Sequence, residues 1–466
     1  MRSAARKGGA IIGTPLAEHV RRADISRRDF LKLTGMGLAG AALLPASTGA
    51  TQPTEIVFSS GPDESGTVQD LIDTFNEEHL GQVRVTWRKM ARESDAHFLE
   101  LQSAFLAEAA DIDVIAADVV WTAAYATRGW VRDLSSRFFN TYDPDDFLRT
   151  ALQSAAYRFK IWGVPWRTDA GMLFYRKDLL AQSGFTTLPN TWDELKRIAK
   201  RVMEDARTRY GFVFQGAAYE GGVANALEYI WSAGGRVMTG NITVAGEFGQ
   251  SVFNPNVITV NSKASARGLD IARSMIAEGI TPPEVATFRE LESGKAFLSG
   301  EAVFMRNWPH AYGFLKDPKW SRITPKEVGV APLPAASPTG RRYSCLGGWN
   351  LMINARSDRR KREAAWTFIR YMTAAAQQKR MALTGGFLPT LRGLYDDREI
   401  INSVPVIALA KEVITHIRLR PVSPFYMQMQ PRIARAFNRT LKGHVTGSEA
   451  VRTLQHELQN IMRRNR

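Results

Sequence analysis

Between residues 55 and 117 the hydrophobic pattern changes period four times, and that alternation limits what the chain can become. Residues 55–59 form a short β-rich run closed by Gly61-Pro62. In 67–78, Val68, Leu71, Ile72 and Phe75 fall at helical spacing; 83–87 alternate as a strand does; 97–109 are helical again; 113–117 are apolar throughout. Strand, helix, strand, helix, strand in this order predicts an α/β layer with parallel strands. Ligands of such sheets sit outside the carboxyl ends of the strands, and Asp118 stands at one of them. Farther along, Thr191 followed by Asp193 and Glu194 opens a capped helix. Residues 210–214 read as a strand, 225–231 as a helix stopped by Gly234-Gly235, and 240–256 as a polar loop. Amphipathic helices are expected over 262–278, 363–372 and 448–461.

The first fifty residues stand apart from this pattern. Ser26-Arg27-Arg28-Asp29-Phe30-Leu31-Lys32 is a twin-arginine motif, followed by an apolar run over 33–44 and by the small residues Ala46, Ser47, Thr48, Gly49 and Ala50. The run is shorter than the ~20 apolar residues of a membrane-spanning helix. It is expected to be an export signal cleaved near Ala50, with the twin-arginine machinery as a partner. No cysteine closes the run, so no lipid anchor is expected there.

Composition narrows the function. The single cysteine, Cys345, cannot form an internal disulfide or hold a cluster. The histidines follow no metal spacing, and no glycine-rich phosphate loop opens a helix. No cofactor and no metal are expected. The net charge of +15 is spread along the chain, and its densest run, 356–362 (RSDRRKR), has no interleaved aromatics. Nucleic acid is therefore not an expected partner. The chain remaining after the leader exceeds one core, which stops growing near ~250–300 residues, so two domains are expected.

Residues 294–353 bring the chemistry. They read GKAFLSGEAVFMRNWPHAYGF, then VGVAPLP, then CLGGWNLMI. A strand over 302–305 is expected to stop at Arg306-Asn307-Trp308-Pro309, leaving Trp308 and His310 on a turn. A second strand, 328–331, ends in Pro332, and a third element carries Gly347-Gly348-Trp349. Rings on loops beside glycines suit a flat ligand rich in hydroxyls, although a lone tryptophan is usually core.

With IAADVVWTAAYATRGWVRDLS from Ile115, GVPWRTDAGMLFYRKDLL from Gly163, TWDELKRIAK from Thr191, GFVFQGAAYEGGVANALEYIWSAGG from Gly211 and RPVSPFYMQMQ from Arg420, this arrangement resembles the sugar-binding proteins of bacterial and archaeal ABC importers. It is most similar to the branch that takes up maltose, trehalose and related glycosides, over nearly the whole chain after the leader. The resemblance implies an α/β fold of the periplasmic-binding-protein type, two lobes with central sheets flanked by helices and a ligand cleft between them. Lobe 1 would hold 51–165 and 348–396, and lobe 2 would hold 168–344 and 397–466. It implies a periplasmic, monomeric receptor that hands a carbohydrate to the membrane subunits of an ABC permease and catalyses nothing. An exported glycoside hydrolase or lyase is the alternative, since such enzymes need paired carboxylates. A structural or adhesive surface protein would bind no small ligand saturably.

The same resemblance implies the site. Asp118 and Asp169 would accept hydroxyl protons, though capping or a salt bridge is the common fate of an Asp. Trp308 and Trp349 would cover sugar faces, one from each lobe. The Gly348 amide could reach a hydroxyl, and Tyr219 and Glu220 could contribute from a loop, unless Glu220 is a solvated charge. Arg420 would reach the cleft or else lie on the surface. Arg92, Ser94 and His97 sit where relatives also touch ligand. Two positions depart from disaccharide-binding relatives, which carry aromatic residues where this chain has Arg167 and His310. A guanidinium there suggests a charged or modified glycoside, because arginine matches oxyanions bidentately; alternatively Arg167 pairs with Asp169 or Glu220 and orders the cleft.

Overall fold

The computed structural model describes residues 52–108, 111–239, 243–244, 251–252 and 257–465. The export motif, its cleavage near Ala50, the end of the helix expected to reach Ala109 and most of the loop expected over 240–256 lie outside them.

The elements that build the two sheets and their cover are, in chain order, β1 (Thr54–Ser60), α1 (Thr67–Glu78), β2 (Val83–Lys89), α2 (Ser94–Leu106), β3 (Val114–Asp118), β4 (Val164–Ala170), β5 (Met172–Arg176), β6 (Tyr210–Val213), α3 (Glu220–Ser232), α4 (Lys263–Ala277), α5 (Glu290–Leu298), β7 (Ala302–Asn307), β8 (Val328–Ala331), β9 (Ser344–Ile353), α6 (Arg359–Thr373), β10 (Ile417–Arg418), α7 (Tyr426–Leu441) and α8 (Gly447–Arg464). The first sheet has the order β10-β9-β3-β1-β2, with β4 also paired to β9. Its β1 runs parallel to both β2 and β3, while β9 is antiparallel to β3 and β4. The second sheet has the order β8-β5-β7-β6.

Alternation explains the burial of β3. Val114 and Ala116 pack with Phe58, Phe75, Trp166 and Phe368 on one face, while Ile115 and Ala117 pack with Phe98, Trp121 and Tyr125 on the other. A strand covered on both faces reads as an unbroken apolar run, as 113–117 does. The second sheet buries Leu173, Phe212 and Phe304 against α3, α4, α7 and α8. The chain passes from the first sheet to the second at Gly171, between β4 and β5. A Cβ on Gly171 would meet the Glu228 carboxylate at 1.9 Å, so glycine is required at this passage.

Three local expectations are corrected. The strand expected over 302–305 continues through Arg306 and Asn307. Both side chains are buried, and buried hydrogen bonds replace the apolar signal that ends at Met305. Trp308 and His310 do not sit on an open turn: Trp308 caps a 3-10 helix, Pro309–Lys316, whose first turn the proline presets. The helix expected over 225–231 begins at Glu220, so Glu220 is a buried first-turn residue and not a solvated loop charge. Every residue of α3 is buried, and a helix covered all round carries no amphipathic period to mark where it starts.

Candidate functional site

Between the two sheets lies a cavity of about 470 Å³. Its wall on the side of the first sheet is built by strand alternation. In β4, Trp166, Thr168 and Ala170 are buried, and Arg167 and Asp169 between them face the opening. Across the pair, Trp349 lies opposite Arg167 and Gly347 opposite Asp169. The register shifts between Trp349 and Asn350, so that Trp166 is the extra residue of a bulge. Trp166 turns into the core, edge-on to Phe58 at 5.7 Å, which leaves Arg167 directed outward. Gly348 has φ +122°, and a Cβ there would lie 2.4 Å from the Arg167 carbonyl oxygen.

The side toward the second sheet is a stack of polar groups behind Trp308. The Trp308 ring lies 4.0 Å from the Arg306 guanidinium. Arg306 is itself bidentate to Glu228, at 2.8 and 2.6 Å, and donates to Gln215 at 3.0 Å. The Glu228 carboxylate also accepts from the Cys345 amide at 2.9 Å, and burial pushes the Cys345 thiol up to about 12. The indole Nε1 donates to Glu290 at 3.2 Å, and the Tyr219 hydroxyl donates to the other Glu290 oxygen. A Cβ on Gly347 would lie 3.0 Å from this indole, so the absent side chain lets Trp308 lie over β9.

Arg420 ties the floor together. It donates to Asp118 at 3.1 Å and to Glu220, and the Tyr426 hydroxyl donates to the same Glu220 oxygen. Asp118 also accepts from Ser94 Oγ at 2.7 Å and from the Val120 amide at 3.2 Å, so both of its oxygens are engaged. Burial pushes the Glu220 carboxyl up, against the pull of Arg420. Asp169 differs: burial and through-space charges act on its carboxylate, and no hydrogen bond to it is seen among the described residues. Burial raises it to about 7, with Arg167 opposing and Asp118 adding to the rise. Burial and the charge of Arg167 lower His310 to about 4.

Arg92, Ser94, Asp118, Arg167, Asp169, Tyr219, Glu220, Trp308, His310, Gly348, Trp349 and Arg420 all line the cavity. His97 does not: it is fully buried and stacks beneath Trp349 at 5.4 Å, because its place on α2 faces the core. Arg167 makes no ion pair with either Asp169 or Glu220; its guanidinium lies over Phe387 at 4.7 Å, Trp166 at 4.9 Å and Trp349 at 5.7 Å. Sequence reasoning missed Glu290, the loop Asp63-Glu64-Ser65, the Gly385-Gly386-Phe387 turn and the ring pair Phe314 and Trp320, which also line the space. The two glycines before Phe387 were a readable turn signal; the others carried none. Among the described residues no His, Cys, Asp and Glu are grouped to hold a metal ion.

Comparison with known proteins gives a consistent picture. The profile of the bacterial extracellular solute-binding protein family matches residues 59–379. A probable ABC transporter-binding protein of Deinococcus radiodurans is 33% identical over 380 residues, which is 80% of this chain and 85% of that one. The maltotriose-binding protein of Pyrococcus abyssi is 25% identical over 371 residues, 73% of each chain. The structure of maltose-bound MalE3 of T. maritima superposes with a TM-score of 0.78 at 32% identity, covering 88% of this chain and all of that one.

Proposed function

The chain belongs to the bacterial extracellular solute-binding proteins, and we propose that it is the receptor of an ABC importer for a sugar or glycoside of about disaccharide size. One observation carries the reading. Trp308 and Trp349, held by different sheets, line one cavity together with Asp169, whose carboxylate is unused. Indole rings cover the C–H faces of a sugar, and a free carboxylate accepts its hydroxyl protons. The maltose and maltotriose named for the relatives point the same way. Within this reading the lobes are 51–165 with 348–396 and 168–344 with 397–466, and the change of sheet at Gly171 supports a hinge beside the cavity.

The family binds solutes and its members are not enzymes, which sets aside the hydrolase alternative. The family acts outside the cytoplasm. Export through the twin-arginine route, cleavage near Ala50, monomeric capture and delivery to a permease complete the proposal.

Calorimetry and thermal shift on the mature chain with maltose, trehalose and maltotriose test it. Saturable binding should raise stability by about 2.7 kcal/mol at a hundredfold excess over Kd. Turnover of nitrophenyl glycosides without saturable binding would replace the receptor by a hydrolase.

A further inference from the structure

Apart from Lys316 and Asp317 at the rim, every charged side chain that faces the cavity is held by an ion pair or by hydrogen bonds, with two exceptions. Arg92 is paired with Glu64. Arg420 is shared between Asp118 and Glu220. Asp63 accepts from the Ser65 amide, the Ser65 hydroxyl and the Val68 amide. Glu290 is taken by Tyr219 and Trp308. What remains is the carboxyl group of Asp169 and the guanidinium of Arg167, on the same face of one strand.

Arg167 is the more demanding of the two. The three rings around it complement its charge, but a ring offers no lone pair in the guanidinium plane. Its donors find no acceptor among the described residues, and Nε is buried without one. Its fork fits two coplanar oxygens of an oxyanion, whereas a single hydroxyl satisfies it only in part. The bulge that sends Trp166 inward fixes this orientation from behind. Of the acids nearby, Glu64 is neutralised by Arg92, while Asp63 is held by neutral donors and keeps its charge.

We propose that the ligand is an acidic sugar, whose carboxylate or phosphate seats on Arg167 while its hydroxyls are accepted by Asp169. The proposal rests on the sugar-receptor reading and names the class of sugar within it. Trp349 lies opposite Arg167 in the strand pair, so the ring carrying the acid group stacks next to the guanidinium that reads it.

Calorimetry on the full mature chain decides it with matched pairs. One arm compares trehalose with trehalose 6-phosphate; the other compares a glucosyl-glucose with the glucuronosyl-glucose of the same linkage. At least one acidic sugar should bind roughly tenfold or more tighter than its neutral parent, the scale of one charged hydrogen-bonded pair. Which arm responds tells carboxylate from phosphate. Arg167→Gln should abolish the preference, weakening the acidic sugar at least roughly tenfold more than its neutral parent; Arg167→Lys, which keeps charge but loses the fork, should retain part of it. Neutral parents that bind as tightly as the acids would overturn the proposal and leave the sugar receptor standing. An equal loss of both ligands in Arg167→Gln with Arg167→Lys unimpaired would reduce Arg167 to a clamp on its rings and overturn it too. Binding of no sugar, neutral or acidic, would remove the receptor reading and this one with it.

Discussion

His97 shows how a single ring can matter without touching ligand. Neither of its nitrogens has a hydrogen-bond partner, and Trp349 rests on its face. Burial, aided by the charge of Arg167, lowers its pKa to about 3. The unfolded chain, with a histidine pKa near ~6.5, takes up the proton first. The stability held by the neutral ring is therefore whole above about pH 6.5 and drains away as pH falls toward 3. His97→Phe should be neutral or stabilising at pH 7, since no hydrogen bond is lost, and should gain on the parent by a few kcal/mol, of order ~3, near pH 4. Urea titrations at the two pH values measure it, and parallel pH curves for the two proteins would refute it. On the opposite wall, Trp308→Ala should weaken sugar binding by ~1–3 kcal/mol with the fold retained. An unchanged isotherm would take the ring out of the site. Trp308 was legible as a ring beside a turn; that its indole N–H is fixed by Glu290 was not, because the two meet only through packing.

At the scale of elements, the bulge between β4 and β9 shapes the cavity more than any one side chain. Gly348→Ala would force a Cβ to 2.4 Å from the Arg167 carbonyl oxygen at a φ of +122°. It should destabilise the chain by ~1–3 kcal/mol or more and weaken sugar binding as Arg167 and Trp349 lose their register. Wild-type melting and affinity in this variant would show that the register tolerates a side chain. Elements with a clean period were readable in advance: α1 from Val68, Leu71, Ile72 and Phe75, and β3 from its apolar run. Those whose order comes from buried polar bonds were not. The last residues of β7 and the first turn of α3 fall in this group, since Arg306, Asn307 and Glu220 look solvated until their partners are placed. The bulge itself leaves no mark beyond Pro165 and the glycine pair, so sequence placed Arg167 and Asp169 in one segment without ordering their surroundings.

Over the whole molecule, Arg420 joins the strand end at Asp118 in the first sheet to the helix start at Glu220 beside the second. All three side chains are almost fully buried, so removing the cation leaves two carboxylates with neutral donors only, Ser94 and the Val120 amide on Asp118 and Tyr426 on Glu220. Arg420→Met should cost ~3–5 kcal/mol, and the loss should shrink on acidification as Glu220, which burial already pushes up, takes a proton. Chemical denaturation across pH 5–8 measures it; a loss below about 1 kcal/mol at every pH would show that the floor is held otherwise. The passage of the chain between sheets is a property of this scale, and hydrophobic period has no term for it. Family resemblance offered an expectation, a crossing between 165 and 168, that composition could not; the change of sheet lies at Gly171.

Cys345, sealed beside Glu228 with its thiol pushed far from reactivity, has a practical consequence. The chain is in effect blank toward thiol reagents. A variant such as Lys316→Cys at the rim would take a fluorophore at one place only, and its emission would report each capture event, making this scaffold a ready optical sensor for whatever solute it proves to hold.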